Sequence, residues 1–156
     1  MKSKQLLALI CILLIAGCSP RPQRQEYILI GALLPLTGDS SDDGLRALNG
    51  IHLAKEEINA KGGILGKMLD IIVLNDRGDG EFIVEQYNRL IEKGVAAIIG
   101  SSYSGPTITL AAVAERDGIP VISPTASNPA VTLGRSNVFR AIFIDDYQAE
   151  LMGYFA

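Results

Sequence analysis

The chain has 156 residues, of which 48% are hydrophobic and 20% charged, and its formal net charge is -3. This composition is typical of a folded globular protein and excludes a disordered chain. Runs of Lys or Arg are absent, which argues against nucleic acid as a partner. With a single His and no cluster of carboxylates, we expect neither a metal site nor a cofactor.

The N-terminus has the pattern of an export signal. Lys2 and Lys4 precede the apolar run Leu6–Ile15, which is too short to remain as a transmembrane helix. The following Ile15-Ala16-Gly17-Cys18 resembles the bacterial lipobox, whose cysteine is acylated and becomes the mature N-terminus. The alternative is an ordinary secretory signal. We predict a lipoprotein signal peptide over residues 1–17, lipidation at Cys18, and a flexible Pro-rich tether over residues 18–26 that anchors an exported protein to the cell envelope.

Hydrophobic patterning predicts alternating strands and helices in the rest of the chain. Short apolar runs indicate buried parallel strands, and longer segments with apolar residues three or four apart indicate helices. The predicted strands are Tyr27–Leu34, Met68–Leu74, Val95–Gly100, Ile119–Ser123 and Asn137–Ile144. The predicted helices are Gly44–Ala60, Glu81–Lys93, Pro106–Asp117, a short turn through Leu133, and a last helix from Tyr147 onward that Asp145 or Asp146 caps. This order predicts an α/β fold with a doubly wound parallel sheet.

Spacing also predicts which helix residues face the sheet. These are Ala47, Ile51, Ala54 and Ile58 in the first helix, and Ile83, Tyr87, Leu90 and Ile91 in the second.

Small hydroxyl residues follow two consecutive predicted strands. The loop Ser101–Ser104 follows one strand, and Thr125–Asn128 follows the next. Because ligands of open parallel sheets bind at the carboxyl ends of the strands, we expect these loops to form a pocket for a small polar molecule. Ser104 precedes a predicted helix, where exposed N–H groups favour an anion, but it could equally serve as the helix N-cap. Thr125–Asn128 taken alone would indicate only a turn.

The other polar residues form no pattern that indicates a metal site or a catalytic site. His52 is predicted to lie at the surface of the first helix, and Asp76 and Asp79 lack the distal Glu of a calcium loop, so we expect solvated loop charges. Ser102-Tyr103-Ser104-Gly105 does not match the Gly-x-Ser-x-Gly elbow of hydrolases, and no Gly-x-Gly-x-x-Gly follows the first strand. We therefore predict that the protein is not an enzyme.

Five stretches of the mature chain form a set of motifs in a defined order. They are Gly31–Gly38, Ile58–Ile64 with its Asn-Ala-Lys-Gly-Gly-Ile element, Val95–Gly100 with the serine loop, Ile119–Pro129, and Asn137–Arg140. Together they resemble the type I periplasmic solute-binding proteins, specifically the branched-chain amino acid (leucine-binding) receptors of ABC transporters. The resemblance implies a receptor that holds an amino acid or an amide-like molecule between two lobes and delivers it to the membrane subunits of an ABC importer.

The resemblance also implies how the chain is divided. Members of that family have two lobes, each about the size of the mature chain. Residues 27–144 would form the N-terminal lobe, with a first hinge strand at about Arg140–Ile144, and residues 145–156 would begin a helix of the second lobe. On this view the chain is a fragment, truncated before the second lobe.

Individual ligand contacts follow from the same resemblance. The hydroxyl and N–H groups at Ser104 would receive the ligand carboxylate, the backbone carbonyl of Thr125 would receive the ammonium, and the hydroxyl of Ser127 would contact both. Tyr103 and Ala126 would line the site.

Asp43 stands where leucine-binding members often have an aromatic residue that covers the ligand. An acid there departs from a preference for apolar side chains, and a solvated loop charge is the alternative. Two other functions stay open: a secreted α/β hydrolase, and an envelope interaction module that binds no ligand and docks through the face that a missing lobe would cover.

Overall fold

The computed structural model describes residues 26–155. The predicted signal peptide, Cys18 and nearly all of the tether lie outside the described residues. The strands are β1 (Tyr27–Leu34), β2 (Met68–Asn75), β3 (Ala97–Gly100), β4 (Val121–Ser123) and β5 (Val138–Arg140). The helices are α1 (Ser41–Ala60), α2 (Phe82–Glu92), α3 (Ser104–Asp117) and α4 (Asp145–Phe155), with a 3₁₀ helix at Pro129–Val131. Within residues 26–155, no helix is both long and apolar enough to cross a membrane.

The five strands form one parallel sheet in the order β2-β1-β3-β4-β5. Successive strand residues face opposite sides of this sheet: Ile30 lies beneath α1, and Gly31 lies against Leu90 of α2. Helices therefore cover both faces, and the predicted α/β fold with a doubly wound parallel sheet is confirmed. Because all neighbours are parallel, the carboxyl ends of β1, β3 and β4 lie side by side at one edge.

The main apolar core lies between the sheet and the α2–α3 layer. It includes Leu33, Ile83, Tyr87, Leu90, Ile98 and Leu110, all completely buried. Three of the four residues predicted to face inward in α2 are in this core, and the fourth, Ile91, is partly buried against it. The predicted inward residues of α1 do face the sheet, where they line a gap with Ile30 and Ile71, but Gly44 is the buried residue of that helix.

Several element ends differ from the predictions for identifiable reasons. β4 begins at Val121 rather than Ile119, since Pro120 has no N–H to contribute to a ladder. The prediction of a strand over Asn137–Ile144 is wrong beyond Arg140. The neighbouring β4 ends at Ser123, whose carbonyl accepts the last sheet bond from Ala141, so no ladder partner continues. Residues 141–144, predicted as part of a hinge strand, therefore lie outside the sheet, with a bend at residues 141–142.

Three helices begin earlier than predicted. α1 begins at Ser41, which places Asp42 and Asp43 in its first turn, where negative charge is favourable. α3 begins at Ser104, so the serine predicted to precede that helix is its first residue. α4 begins at Asp145 rather than Tyr147, so Asp145 and Asp146, one of which was predicted to cap it, both lie in its first turn.

One face of the sheet is only half covered. α1 packs over β1 and β2. Beyond it, Ile99, Ile122 and Phe139 lie side by side on adjacent strands, and Ile122 and Phe139 are 40% and 54% exposed. We call these three residues the open face. The last helix, α4, likewise has no buried residue.

Candidate ligand-binding site

Three hydrogen bonds join the segment from the end of β3 to the start of α3 with the last residue of β4 and the loop that follows it. The hydroxyl of Ser123 donates to the carbonyl of Ser101 at 2.6 Å, and that of Thr125 donates to the carbonyl of Ser102 at 2.7 Å. The third bond runs from the backbone N–H of Asn128 to Oγ of Ser104, at 3.3 Å. The two polar loops therefore meet at the edge of the sheet, as their position after adjacent parallel strands predicts.

Ser104 does not cap α3. The N-cap residue is Tyr103, in an extended conformation, and its side chain makes no capping bond. The interpretation of Ser104 as an N-cap is therefore wrong, and its oxygen faces Asn128 across the joined loops. Thr107 fixes the start of the helix from below, since its buried hydroxyl lies within hydrogen-bond distance of the carbonyls of Ser101 and Tyr103. The N–H groups of the first helical turn end at this edge, where they favour an anion.

Asp43 and Tyr103 meet above the joined loops. The phenol of Tyr103 donates to Oδ2 of Asp43 at 2.7 Å. Gly44 sets the position of Asp43, because any side chain on Gly44 would collide with the carbonyl oxygen of Pro35 at the end of β1. This pair thus joins the first turn of α1 to the β3–α3 loop.

The Thr125–Asn128 loop presents backbone more than side chains. The side chain of Ala126 is 1% exposed and belongs to the apolar core, so it does not line an open mouth. The hydroxyl of Thr125 is engaged with the loop after β3. Asn128 accepts the N–H of Ala130 on its side-chain oxygen and so caps the 3₁₀ helix, which is the turn that the sequence alone indicates.

Sequence reasoning assigned no role to Arg140, yet this residue holds the loop. Its Nη1 donates to the carbonyls of Ser127 and Asn128, both at 2.9 Å, and lies 3.4 Å from that of Ala126. Its Nη2 donates to the hydroxyl of Thr132 at 2.6 Å and to the carbonyl of Pro129 at 3.2 Å. The sequence did contain an indication of this role. Alternation along β5 places Arg140 on the same side of the sheet as the buried Val138, and a charged group on that side needs hydrogen-bond acceptors.

The prediction that Asp76 is a solvated loop charge is wrong. Asp76 follows β2, is 0% exposed, and accepts the N–H of Gly78 on Oδ1 at 2.8 Å. Its Oδ2 has no hydrogen-bond partner among the described residues, and the Ser101 hydroxyl beside it makes no bond of standard geometry. Burial raises the pKa of Asp76, while the Ser101 hydroxyl and the Gly78 N–H act in the opposite direction.

The other two polar residues singled out in the sequence lie at the surface. Asp79 is exposed and accepts the N–H groups of Glu81 and Phe82 on one oxygen, both at 2.8 Å, at the start of α2. These bonds lower the pKa of Asp79. His52 is exposed on α1. Residues 26–155 contain no group of three His, Cys, Asp or Glu side chains that could hold a metal ion.

The arrangement offers hydroxyls, backbone N–H groups at a helix start and one carboxylate at a single sheet edge. Such groups can hold a small molecule that carries both charges. Residues 28–156 match the model of the periplasmic binding protein family. The chain belongs to this family. The resemblance to branched-chain amino acid receptors of ABC transporters is also confirmed by relatives of known sequence and structure.

This periplasmic binding protein is 34% identical over 139 residues to the Leu/Ile/Val-binding protein BraC3 of Rhizobium johnstonii, an alignment that covers 88% of the chain and 38% of the relative. Its fold is similar to that of the leucine binding protein LivK from Thermotoga maritima, with a TM-score of 0.77, 35% identity, and coverage of 83% of this chain and 36% of the other. For LivJ from Streptococcus pneumoniae, solved in complex with isoleucine, the TM-score is 0.74, the identity 30%, and the coverage 77% and 35%. The chain thus spans less than two-fifths of the length of each of these three relatives.

Proposed function

We propose that this chain forms the N-terminal lobe of an extracytoplasmic receptor for an ABC importer, and that the receptor binds an amino acid or a similar small polar molecule. The observation that carries the proposal is the joining of the β3 and β4 loops beside the first turn of α3, with Ser104 at their junction. The names of the relatives, which are Leu/Ile/Val-binding and leucine binding proteins, support this class of ligand.

We assign the contacts as the sequence resemblance implies. The Ser104 hydroxyl and the nearby N–H groups receive the carboxylate, the backbone carbonyl of Thr125 receives the ammonium, and the Ser127 hydroxyl contacts both. The Tyr103–Asp43 pair covers the ligand. The proposed role is binding rather than catalysis, because the group next to the Ser104 oxygen is a backbone N–H, which cannot act as a base.

A receptor of this kind closes two lobes on its ligand, and the transporter recognises the closed form. The chain spans about two-fifths or less of its relatives, so we propose that residues 27–144 supply one wall of the cleft and that residues from 145 onward lead into the second lobe. One wall provides about half of the contacts. The 156-residue chain on its own should therefore bind its ligand weakly.

Titration of the ¹⁵N-labelled chain with leucine, isoleucine and valine tests this function. Millimolar ligand should shift the amide resonances of residues 103–104 and 125–128, and Ser104→Ala should abolish the shifts. Ser136→Ala is the matched control, since that hydroxyl bonds Glu115 away from the site. Shifts confined to other regions, or micromolar affinity in isothermal titration, would contradict the single-wall proposal.

We also propose that acylation of Cys18 anchors the receptor to the membrane. The support is the lipobox pattern of residues 15–18. When the chain is expressed in a bacterium and extracted with Triton X-114, the wild type should partition into the detergent phase and Cys18→Ser into the aqueous phase. Cys11→Ser, within the signal peptide, should partition as the wild type does. Equal partitioning of the Cys18 variant and the wild type would exclude the anchor.

A further inference from the structure

We propose that Arg140 is a positioning residue: by holding the carbonyls of the Thr125–Asn128 loop, it turns the N–H groups of Ser127 and Asn128 toward Ser104, the Ser127 N–H to receive a ligand carboxylate and the Asn128 N–H to hold the Ser104 hydroxyl that receives it. The ligand part of this inference rests on the proposed function, and the backbone part does not. Arg140 bonds only to backbone carbonyls in this loop, and it contacts none of the side chains that are proposed to bind the ligand.

The geometry of the peptide bond fixes the direction in which these N–H groups point. In a planar trans peptide, the C=O of one residue and the N–H of the next point in opposite directions. The Ser127 carbonyl points at Arg140, with an N–O distance of 2.9 Å. The N–H of Asn128 must therefore point away from Arg140, and it donates to Oγ of Ser104 at 3.3 Å. Applied to the Ala126 carbonyl, 3.4 Å from Arg140, the same rule directs the Ser127 N–H to the Ser104 side.

The set of acceptors around this side chain requires an arginine. Four backbone carbonyls and the Thr132 hydroxyl surround the guanidinium, and Arg presents five N–H donors in a rigid plane. A lysine ammonium has three donors at one point and cannot span this set. Arg140 is also held in β5, where it pairs in register with Ser123. The loop is therefore fixed from a rigid element of the sheet.

Electrostatics favours the same arrangement. All five acceptors of Arg140 are neutral, so its positive charge is not cancelled by a carboxylate among these contacts. The aligned peptide dipoles between Arg140 and Ser104 transmit a positive potential to the side where the Ser127 and Asn128 N–H groups emerge. The Ser127 carbonyl also accepts the N–H of Asp145, which links the same loop to the start of α4.

The first experiment needs no ligand. Amide resonances and hydrogen exchange are compared between the ¹⁵N-labelled chain and its Arg140→Lys variant, with Arg116→Lys, which alters a surface ion pair, as the control. Arg140→Lys should move the Ser127 and Asn128 resonances and raise the exchange rate of the Asn128 amide about tenfold, whereas Arg116→Lys should not. Unchanged Ser127 and Asn128 amides in a folded Arg140→Lys chain would overturn the proposal.

Should Arg140→Lys fail to fold, Thr132→Val decides instead. This variant keeps the guanidinium but removes its 2.6 Å bond to Thr132. The Ser127 and Asn128 amide resonances should shift from their wild-type positions. If they keep their wild-type positions while amides around residue 132 move, the loop is not held through Arg140 and the proposal is wrong.

The second experiment separates positioning of N–H donors from general loosening of the loop. Leucine is compared with 3-methylbutylamine, which is leucine without its carboxylate. Arg140→Lys should weaken leucine binding about tenfold and amine binding less than about twofold, because only the carboxylate uses the N–H groups. Equal weakening of both would overturn the carboxylate role. If neither molecule binds the wild type, the proposed function fails, while the ligand-free amide data still decide the role of Arg140.

Discussion

Asp76 places a carboxyl group where water does not reach, and its burial makes stability depend on pH. Burial raises the pKa of this group above the ordinary value of 3.8. An acid with a raised pKa in the folded state contributes stability that is fully present below the unfolded pKa and is lost as pH rises through the folded pKa. We predict that Asp76→Asn removes this loss, so that the free energy of unfolding of the variant relative to the wild type increases as pH rises above about 4. Urea denaturation over a pH series measures the difference.

Asp79 is the matched control because its shift has the opposite sign. Backbone N–H groups of Phe82 and Glu81 lower its pKa, so its contribution is present above the unfolded pKa and is lost as pH falls through the folded one. Asp79→Asn should therefore lower stability at neutral pH, with the difference shrinking in acid. A pH dependence of the same sign in both variants would contradict the account of Asp76.

The burial of Asp76 and the partners of Arg140 could not be predicted from local sequence, although alternation in β5 indicates that Arg140 faces the same side as Val138. Asp76 stands in Asn75–Asp79, a turn with polar residues, yet it is buried, with Ser101 of the loop after β3 beside it. The acceptors of Arg140 are mostly backbone carbonyls, which any residue supplies, so no side-chain pattern marks them. The position of Ser104 between β3 and the body of α3 was predictable, because the strand and the helical spacing on either side of it are visible in the sequence, and its contact with a ligand stays a prediction.

At the scale of elements, α4 differs from the other α-helices because none of its residues is buried against the rest of the protein. It has 11 residues, none of them buried, and a helix of this length is marginal in water without packing. We predict that a chain ending at Ile144 has a thermal midpoint within about 2 °C of the full chain. We also predict that the α4 amides exchange with solvent far faster than those of α3. A clear loss of stability on truncation would show that α4 is packed in solution.

A substitution at Gly118 serves as the positive control for the thermal measurement, because it should change stability. Gly118 ends α3 in the left-handed conformation, with φ of 70°, which glycine adopts without strain. Gly118→Ala should lower the free energy of unfolding by about 1 kcal/mol. If the thermal midpoint falls in Gly118→Ala but not in the chain without α4, then α3 contributes to the stability of the protein and α4 does not.

The elements themselves were largely predictable, and their ends were not. Apolar runs identify all five strands, because strands of a parallel sheet are apolar almost throughout, and this holds here even for β4 and β5 beside the open face. Where a strand stops depends on its neighbour: β5 ends at Arg140 because β4 ends at Ser123, and the apolar residues 141–144 give no sign of this. The predicted helix starts lay a few residues after the observed ones for a similar reason. The residues Ser41–Asp43 and Ser104 are as typical of loops as of a first helical turn.

At the scale of the whole molecule, the open face is the least protected part of the sheet. Parallel sheets of α/β proteins are normally covered on both sides, whereas here α1 covers only the β1–β2 part of its face. Ile122 and Phe139 present adjoining apolar surface to solvent. Contiguous apolar surface of this kind promotes association, which the interaction-module alternative also requires.

We therefore predict that the 156-residue chain self-associates through the open face and that Phe139→Lys suppresses this association. Phe139 is 54% exposed and lies at the last strand of the sheet, so a lysine there places its charge in solvent and should leave the urea midpoint nearly unchanged. Sedimentation velocity over a concentration series measures the effect. Leu133→Lys is the control, since Leu133 is 78% exposed but follows the 3₁₀ helix and does not belong to the open face. Association that persists in Phe139→Lys, or that Leu133→Lys removes equally, would place the contact elsewhere on the molecule.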